Sequence, residues 1–154
     1  MSIRGIILLI VLLTAGLLSG AQTVIPGGYV SGTWHATGSP YIIQSSIIIH
    51  DDSALYIEEG VSLEFYDSAY IQVEGYIAAM GAAGDSIIFR SAQESWLGIR
   101  FGPLDSNYQD NHLFHYCVFR DAYSTISSGG GVMSVINRDD ITIFHSSFRN
   151  QEPS

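Results

Sequence analysis

Two stretches of this chain repeat one another closely enough to decide its fold: Phe114-His115-Tyr116-Cys117-Val118-Phe119-Arg120-Asp121 and Ile143-Phe144-His145-Ser146-Ser147-Phe148-Arg149-Asn150. They align without a gap at an offset of 29 residues, and each contains Phe-Arg followed by Asp or Asn. Ile87-Ile88-Phe89-Arg90-Ser91-Ala92 fits the same frame at an offset of 30, and Leu63-Glu64-Phe65-Tyr66-Asp67-Ser68 fits it at a further 24. A phenylalanine therefore recurs at positions 65, 89, 119 and 148.

A repeat of this length, without helical periodicity, is typical of a β-solenoid. Short alternating apolar runs are bounded by Gly, Ser, Asp and Asn, as in strands and turns. We therefore predict an all-β fold: a right-handed parallel β-helix of roughly four to five coils, stacked about 4.8 Å apart. The recurring phenylalanines should point inward and form one stack. His112–Phe119 and Ile141–Phe148 are each expected to be a single strand.

The first 21 residues have the layout of a secretory signal peptide, and residues 22–154 are expected to form the β-helix domain. Arg4 precedes an apolar run from Gly5 to Leu18, and Ser19-Gly20-Ala21 offers small residues for cleavage. A membrane anchor is the alternative, but a spanning helix needs about 20 apolar residues. We expect a protein secreted to the extracellular space or the outer surface of a bacterial cell, without stable membrane insertion.

Composition excludes several functions. Without Arg4, five arginines stand against fifteen acidic residues, so the mature part has a formal charge of −10 and nucleic acid is a disfavoured partner. The chain has no lysine, which removes phosphate-loop and Schiff-base chemistry. Cys117 is the only cysteine, so no internal disulfide can form, and we expect an inert buried thiol.

Several motifs carry a family resemblance over nearly the whole mature part. Ser31-Gly32-Thr33-Trp34, Leu55-Tyr56-Ile57-Glu58-Glu59-Gly60-Val61, Val73-Glu74-Gly75-Tyr76-Ile77 and Trp96-Leu97-Gly98-Ile99-Arg100-Phe101 together resemble the pectate-lyase-like, right-handed β-helix proteins found among exported bacterial surface proteins. These are turn and core residues, so the resemblance implies architecture more than activity. The chain stops part-way through a coil, and we expect either a fragment of a longer protein or a partner protein that covers the C-terminal coil.

Two candidate chemical sites have a simpler structural explanation. Asp139-Asp140 offers the paired carboxylates of a glycoside hydrolase, but neighbouring strand residues face opposite ways, so a polar turn is the better prediction. His112 and His115 also face opposite ways on a strand and cannot chelate one metal ion, so surface or turn positions are expected. Trp96 is expected to be half-buried packing rather than a platform for a sugar. No catalytic residue, metal or cofactor is predicted.

One surface pattern remains. Arg90, Arg120 and Arg149 each follow an inward phenylalanine, so alternation places them on the outer surface, in successive coils. The row is a candidate site for an anionic glycan, which guanidinium groups bind through paired hydrogen bonds; the alternative is a row neutralised by Asp121 and other acids. We expect an adhesin-like structural or binding module with weak affinity for extracellular polysaccharide. The alternative is a polysaccharide lyase or glycoside hydrolase whose active site lies on coils absent from this chain.

Overall fold

Short strands and turns make up nearly all of the part of the chain that the structure describes. The structure is a computed structural model, and it describes residues 21–102, 111–123, 131–136 and 138–149. The strands are two to five residues long, and one 3-10 turn lies at Ala36–Gly38. In chain order they are β1 Thr23–Ile25, β2 Gly28–Tyr29, β3 Gly32–Trp34, β4 Tyr41–Ile43, β5 Ile47–Ile49, β6 Ala54–Glu58, β7 Ser62–Phe65, β8 Ile71–Val73, β9 Tyr76–Met80, β10 Ile87–Ser91, β11 Ile99–Phe101, β12 His112–His115, β13 Cys117–Arg120, β14 Met133–Ser134, β15 Ile141–Phe144 and β16 Ser147–Arg149.

These strands form three parallel sheets, and the chain visits the sheets in rotation. Sheet A contains β1, β4, β7, β10, β13 and β16; sheet B contains β2, β5, β8, β11 and β14; sheet C contains β3, β6, β9, β12 and β15. Each strand therefore pairs with the strand three positions further along the chain. This is the topology of a solenoid in which every turn adds one strand to each sheet. The predicted all-β parallel β-helix of roughly four to five coils is confirmed.

Alternation along most strands builds the core, although β9 departs from it with Ile77, Ala78 and Ala79 all buried. Residues with even spacing point to one face of a strand, and in this coil that face is the interior. In sheet B, Ile47, Ile71 and Ile99 are register partners in neighbouring strands, and all three are fully buried. Burial of one such side chain stabilises the fold by roughly 1.5–3 kcal/mol. A ladder of identical contacts thus replaces the disulfides that the chain cannot form.

Three of the four phenylalanines predicted to stack, Phe89, Phe119 and Phe148, form a stack in sheet A, whereas Phe65 stacks on Trp96. The ring centroids of Phe89 and Phe119 are 4.8 Å apart, and those of Phe119 and Phe148 are 5.0 Å apart. The predicted offset of 24 was wrong by two residues, because Leu63 pairs with Phe89 and Phe65 pairs with Ser91. A slip of two residues keeps every side chain on its own face, so Phe65 remains buried.

The two longest predicted strands were each wrong in length. A corner divides His112–Phe119 into β12 and β13, and a second corner divides Ile141–Phe148 into β15 and β16. The corner residues Tyr116 and His145 have φ of 48° and 51°, a left-handed conformation that favours glycine. Their rings stack on one another at 4.9 Å. This contact between coils joins two residues that local sequence patterns would place in strands.

The last described coil exposes side chains that its predecessors bury. Ile143 is the register partner of the fully buried Phe114, but it is 40% exposed. Phe148 is the partner of the fully buried Phe119, but it is 52% exposed. Both point toward the interior without a further described coil above them.

The described residues contain no helix with the length and hydropathy of a membrane span.

Candidate functional site

The structure brings Arg90, Arg120 and Arg149 together on the outer face of sheet A. Arg120 and Arg149 are register partners in β13 and β16. Phe89 and Phe119 are register partners in β10 and β13, so Arg90 and Arg120, each one residue further along, lie side by side. We call these three residues the arginine row. Neighbouring strands are about 4.8 Å apart, so the row presents one guanidinium group per coil.

The three members of the row differ in their ionic partners. Arg90 Nη2 forms an ion pair with Glu64 Oε1, and Glu64 belongs to the preceding strand of the same sheet. Within the described ranges, Arg120 and Arg149 make no ion pair. The buried Nε of Arg120 has no hydrogen-bond partner, and neither has the buried Oδ1 of Asp121. Asp121 therefore does not neutralise the row, and two of its three cations remain available.

This arrangement is suited to carboxylate recognition. A guanidinium group donates parallel hydrogen bonds to both oxygens of a carboxylate. The register places Arg149 beside Arg120, while the Nε of Arg120 is buried and therefore not accessible to a ligand. A polymer with one carboxylate per repeating unit would meet successive guanidinium groups along the solenoid axis.

The pair Asp139-Asp140 lies beside β15 and does not form a catalytic dyad. Asp139 is exposed, whereas Asp140 is half-buried and bound to Arg138. Arg138 donates from Nε to Asp140 Oδ1 at 2.9 Å and from Nη2 to Asp140 Oδ2 at 2.6 Å. The guanidinium group holds the pKa of the Asp140 carboxyl below its usual range. A carboxylate bound in this way is a poor general acid.

Arg138 also reaches His112, which is fully buried, and the expected surface position of His112 was wrong. Arg138 Nη2 is 2.9 Å from His112 Nε2, and Arg138 Nη1 donates to the carbonyl of Gly102 at 2.9 Å. Burial, and then the positive charge of Arg138, lower the pKa of His112 to about 4. His112 is therefore neutral at neutral pH, and His112, Arg138 and Asp140 form a buried polar cluster that supports the core.

Sequence reasoning missed this cluster, because it treated His112–Phe119 as one strand. With Phe119 inward, alternation along a single strand places His112 outward, and the corner at Tyr116 reverses that phase. In the structure His112 pairs with Ile141, and the pairing of Leu113 with Ala78 places His112 beside Ile77. His115, by contrast, points outward and stacks on Phe144 with centroids 3.8 Å apart. The prediction that the two histidines face opposite ways is confirmed.

Trp96 and Cys117 belong to the core. Trp96 is fully buried rather than half-buried, stacks on Phe65 at 4.3 Å, and donates from Nε1 to the carbonyl of Arg120 at 2.8 Å. It is therefore not a platform for a sugar ring. Cys117 is buried as expected, and burial raises the pKa of its thiol to about 12. The thiolate that nucleophilic chemistry requires is absent at neutral pH.

One group of exposed side chains has the composition of metal ligands. His50 Nδ1 lies 2.5 Å from Asp51 Oδ1 and 2.8 Å from Asp52 Oδ1. The hydrogen bond to Asp52 raises the pKa of His50. The three groups thus satisfy one another as hydrogen-bonded ion pairs in an exposed turn.

The expected signal peptide lies outside the described residues, apart from Ala21.

Comparisons with known proteins add no relative. No family model, curated protein or solved structure matches this chain. The parallel β-solenoid is therefore established by the strand register alone.

Proposed function

We propose that this protein is an exported β-helix module of the pectate-lyase-like type that binds an acidic polysaccharide along the arginine row. The observation that carries the proposal is the register of Arg120 opposite Arg149, with neither side chain in an ion pair with any residue that the structure describes. The two arginines belong to consecutive coils, so successive negative charges of a linear polyanion can each bind one guanidinium group. The signal-like residues 1–21 support a location outside the cell, at the bacterial surface or beyond it.

The overall negative charge of the chain opposes this ligand at long range, but the row concentrates the available positive charge. At physiological salt, charges further apart than about 8 Å are largely screened. Arg120 and Arg149 belong to neighbouring strands about 4.8 Å apart, so a carboxylate bound at one of them is within range of the charge of the other. We therefore expect weak, salt-sensitive binding that depends on the row itself.

Retention on immobilised polygalacturonate tests the proposal with a matched control. Arg120→Gln and Arg149→Gln each remove one charge from the row, and Arg100→Gln removes one charge from sheet B, where Arg100 lies 4.1 Å from the centre of the Tyr70 ring. We expect either row variant to weaken binding roughly threefold to tenfold. Equal loss in Arg100→Gln would show that net charge alone acts. Absence of wild-type retention at low salt would end the proposal.

The enzymatic alternative has a direct test. Hydrolysis needs one carboxyl group kept protonated, and Arg138 keeps Asp140 ionised. We propose that this chain alone does not cleave acidic glycans. Incubation with polygalacturonate and alginate, with and without Ca²⁺, should release neither reducing ends nor unsaturated sugars. Product formation that Asp140→Asn abolishes would contradict a purely binding role.

We further propose that a partner protein segment covers the C-terminal coil. Ile143 and Phe148 are the exposed inward side chains that support it, because contiguous exposed apolar surface marks interaction sites. A dye that fluoresces on apolar surfaces, such as ANS, should bind the isolated protein. Phe148→Ser should lower that fluorescence, and equal fluorescence in both proteins would contradict an open end.

A further inference from the structure

The outer face of sheet C carries an open groove that is separate from the arginine row. Seven residues of β3, β6, β9 and the turn after β6 line it: Thr33, Tyr56, Ile57, Glu58, Glu59, Ala78 and Met80. Tyr56 is 47% exposed and Met80 is 41% exposed. The groove therefore combines an accessible aromatic ring, an apolar side chain and two carboxylates on one side of the solenoid.

A small residue between two large ones creates the depression. Ala78 in β9 is the register partner of Tyr56 on one side and of Leu113 on the other. Because the Ala78 side chain is short, it forms the bottom of the groove, and the Tyr56 ring beside it forms one wall. Tyr76 lies at the same outer surface, with its ring centroid 5.9 Å from that of Tyr56. All of the lining residues except Glu59, which lies in the turn after β6, are thus at strand positions.

The rim of the groove is anionic. Glu58 Oε2 is 2.8 Å from His35 Nδ1, and Glu59 makes no ion pair with any described residue. A tyrosine ring face carries negative potential and attracts cations, and two adjacent carboxylates strengthen that attraction. The complementary ligand has a positive charge next to a flat apolar face.

We propose that this groove binds a protonated amino sugar of a cationic polysaccharide. The apolar C–H face of the sugar ring packs on Tyr56 over Ala78, and the ammonium group pairs with Glu58 and Glu59. A lysine-rich peptide has similar charge but fits less well, because peptide recognition by sheets uses an open strand edge. Here β6 pairs with β3 on one side and with β9 on the other, so no backbone edge is free at the groove.

With this site, the protein has two binding faces, one for an anionic ligand and one for a cationic ligand. Sheet A offers cations to an acidic polymer, and sheet C offers carboxylates and an aromatic ring to a cationic one. The two faces use different residues, so either can fail experimentally without the other.

Calorimetric titration of the purified full-length protein at about pH 6, where carboxylates are ionised and amines are protonated, tests the proposal. The probes are the glucosamine hexamer, the N-acetylglucosamine hexamer, which lacks the charge, and hexalysine, which lacks the sugar. We expect the glucosamine hexamer to bind at least tenfold more tightly than either of the other two. Equal affinity for hexalysine would overturn the sugar assignment, and equal affinity for the acetylated hexamer would overturn the role of charge.

Variants localise the binding. Tyr56→Ala removes the ring, and Ala78→Leu fills the floor with the residue that the next coil carries at Leu113, so each should weaken binding roughly tenfold. Tyr29→Ala is the matched control, because Tyr29 is 72% exposed on sheet B. It should change affinity by less than about twofold. Thermal melts establish that each variant is folded. Wild-type affinity in both groove variants, or an equal loss in the control, would refute the site.

Discussion

Replacement of His112 by leucine should remove a specific pH dependence from the stability of this protein. His112 is fully buried in an inward row where Ile77 and Ile141 are its neighbours. A leucine already occupies the same row at Leu55, the partner of Ile77. The substitution therefore exchanges a buried titratable ring for an apolar side chain of similar size, and Arg138 keeps its hydrogen bonds to Asp140 and Gly102.

The magnitude follows from the difference in pKa between the folded and unfolded states. The pKa of His112 is about 4 in the fold, against 6.5 for an ordinary histidine. Unfolding therefore takes up a proton between these values, and stability falls as the pH drops from about 6.5 toward 4. Above pH 6.5 the contribution of His112 to the free energy of unfolding is constant. Between pH 7 and 4.5 the free energy of unfolding should fall by about 2–3 kcal/mol.

Urea unfolding at several pH values between 7 and 4.5, followed by circular dichroism, measures this loss. The difference in free energy of unfolding between wild type and His112→Leu cancels groups that titrate equally in both proteins. Asp140 interferes little, because its lowered pKa moves its titration below pH 3.8. Ile57→Leu is the control, since Ile57 is buried in the same sheet and its replacement removes no titratable group, so it should leave the pH dependence unchanged.

Parallel curves for wild type and His112→Leu would refute the reasoning. They would mean that the ring of His112 titrates in the folded protein as it does in the unfolded chain. A buried neutral histidine between Arg138 and Ile77 would then be excluded, and with it the polar cluster as described.

Three further predictions concern the core. Phe119→Ala should cost about 3–5 kcal/mol in urea unfolding, whereas Phe148→Ala, at the half-exposed end of the same stack, should cost about half as much; equal costs would mean that the last coil is covered in solution. Cys117 should resist iodoacetamide at pH 8 in the folded protein and react once urea unfolds it, because its thiol is buried and its pKa is about 12; fast labelling of the native protein would contradict this. Gly98→Ala should destabilise by more than about 2 kcal/mol, because φ is 75° and the new Cβ would lie 2.6 Å from the carbonyl oxygen of Val132; an unchanged melting temperature would show that this approach is not as close as described.

Alternation and the repeat were sufficient to predict the architecture. The offsets of 29 and 30 place Phe89, Phe119 and Phe148 in one stack, and the structure contains that stack. A period of two along each strand decides which side chain is inside, whatever the rest of the fold does. The same rule placed the arginine row outside, but applied to a single strand from His112 to Phe119 it placed His112 outside as well. The corner at Tyr116 changes the phase, and His112 is buried.

The tertiary structure decided the features that depend on contacts between coils. The left-handed corners at Tyr116 and His145 carry no glycine, so local propensity predicted continuous strands. Ring stacking and hydrogen bonds between neighbouring coils stabilise these corners. The pairing of Leu63 with Phe89 depends on the length of the intervening turns, which sequence similarity does not measure. The groove beside Tyr56 depends on which residue of the next coil, Ala78, lies under the ring, because a surface built by stacking has a shape that no single coil contains.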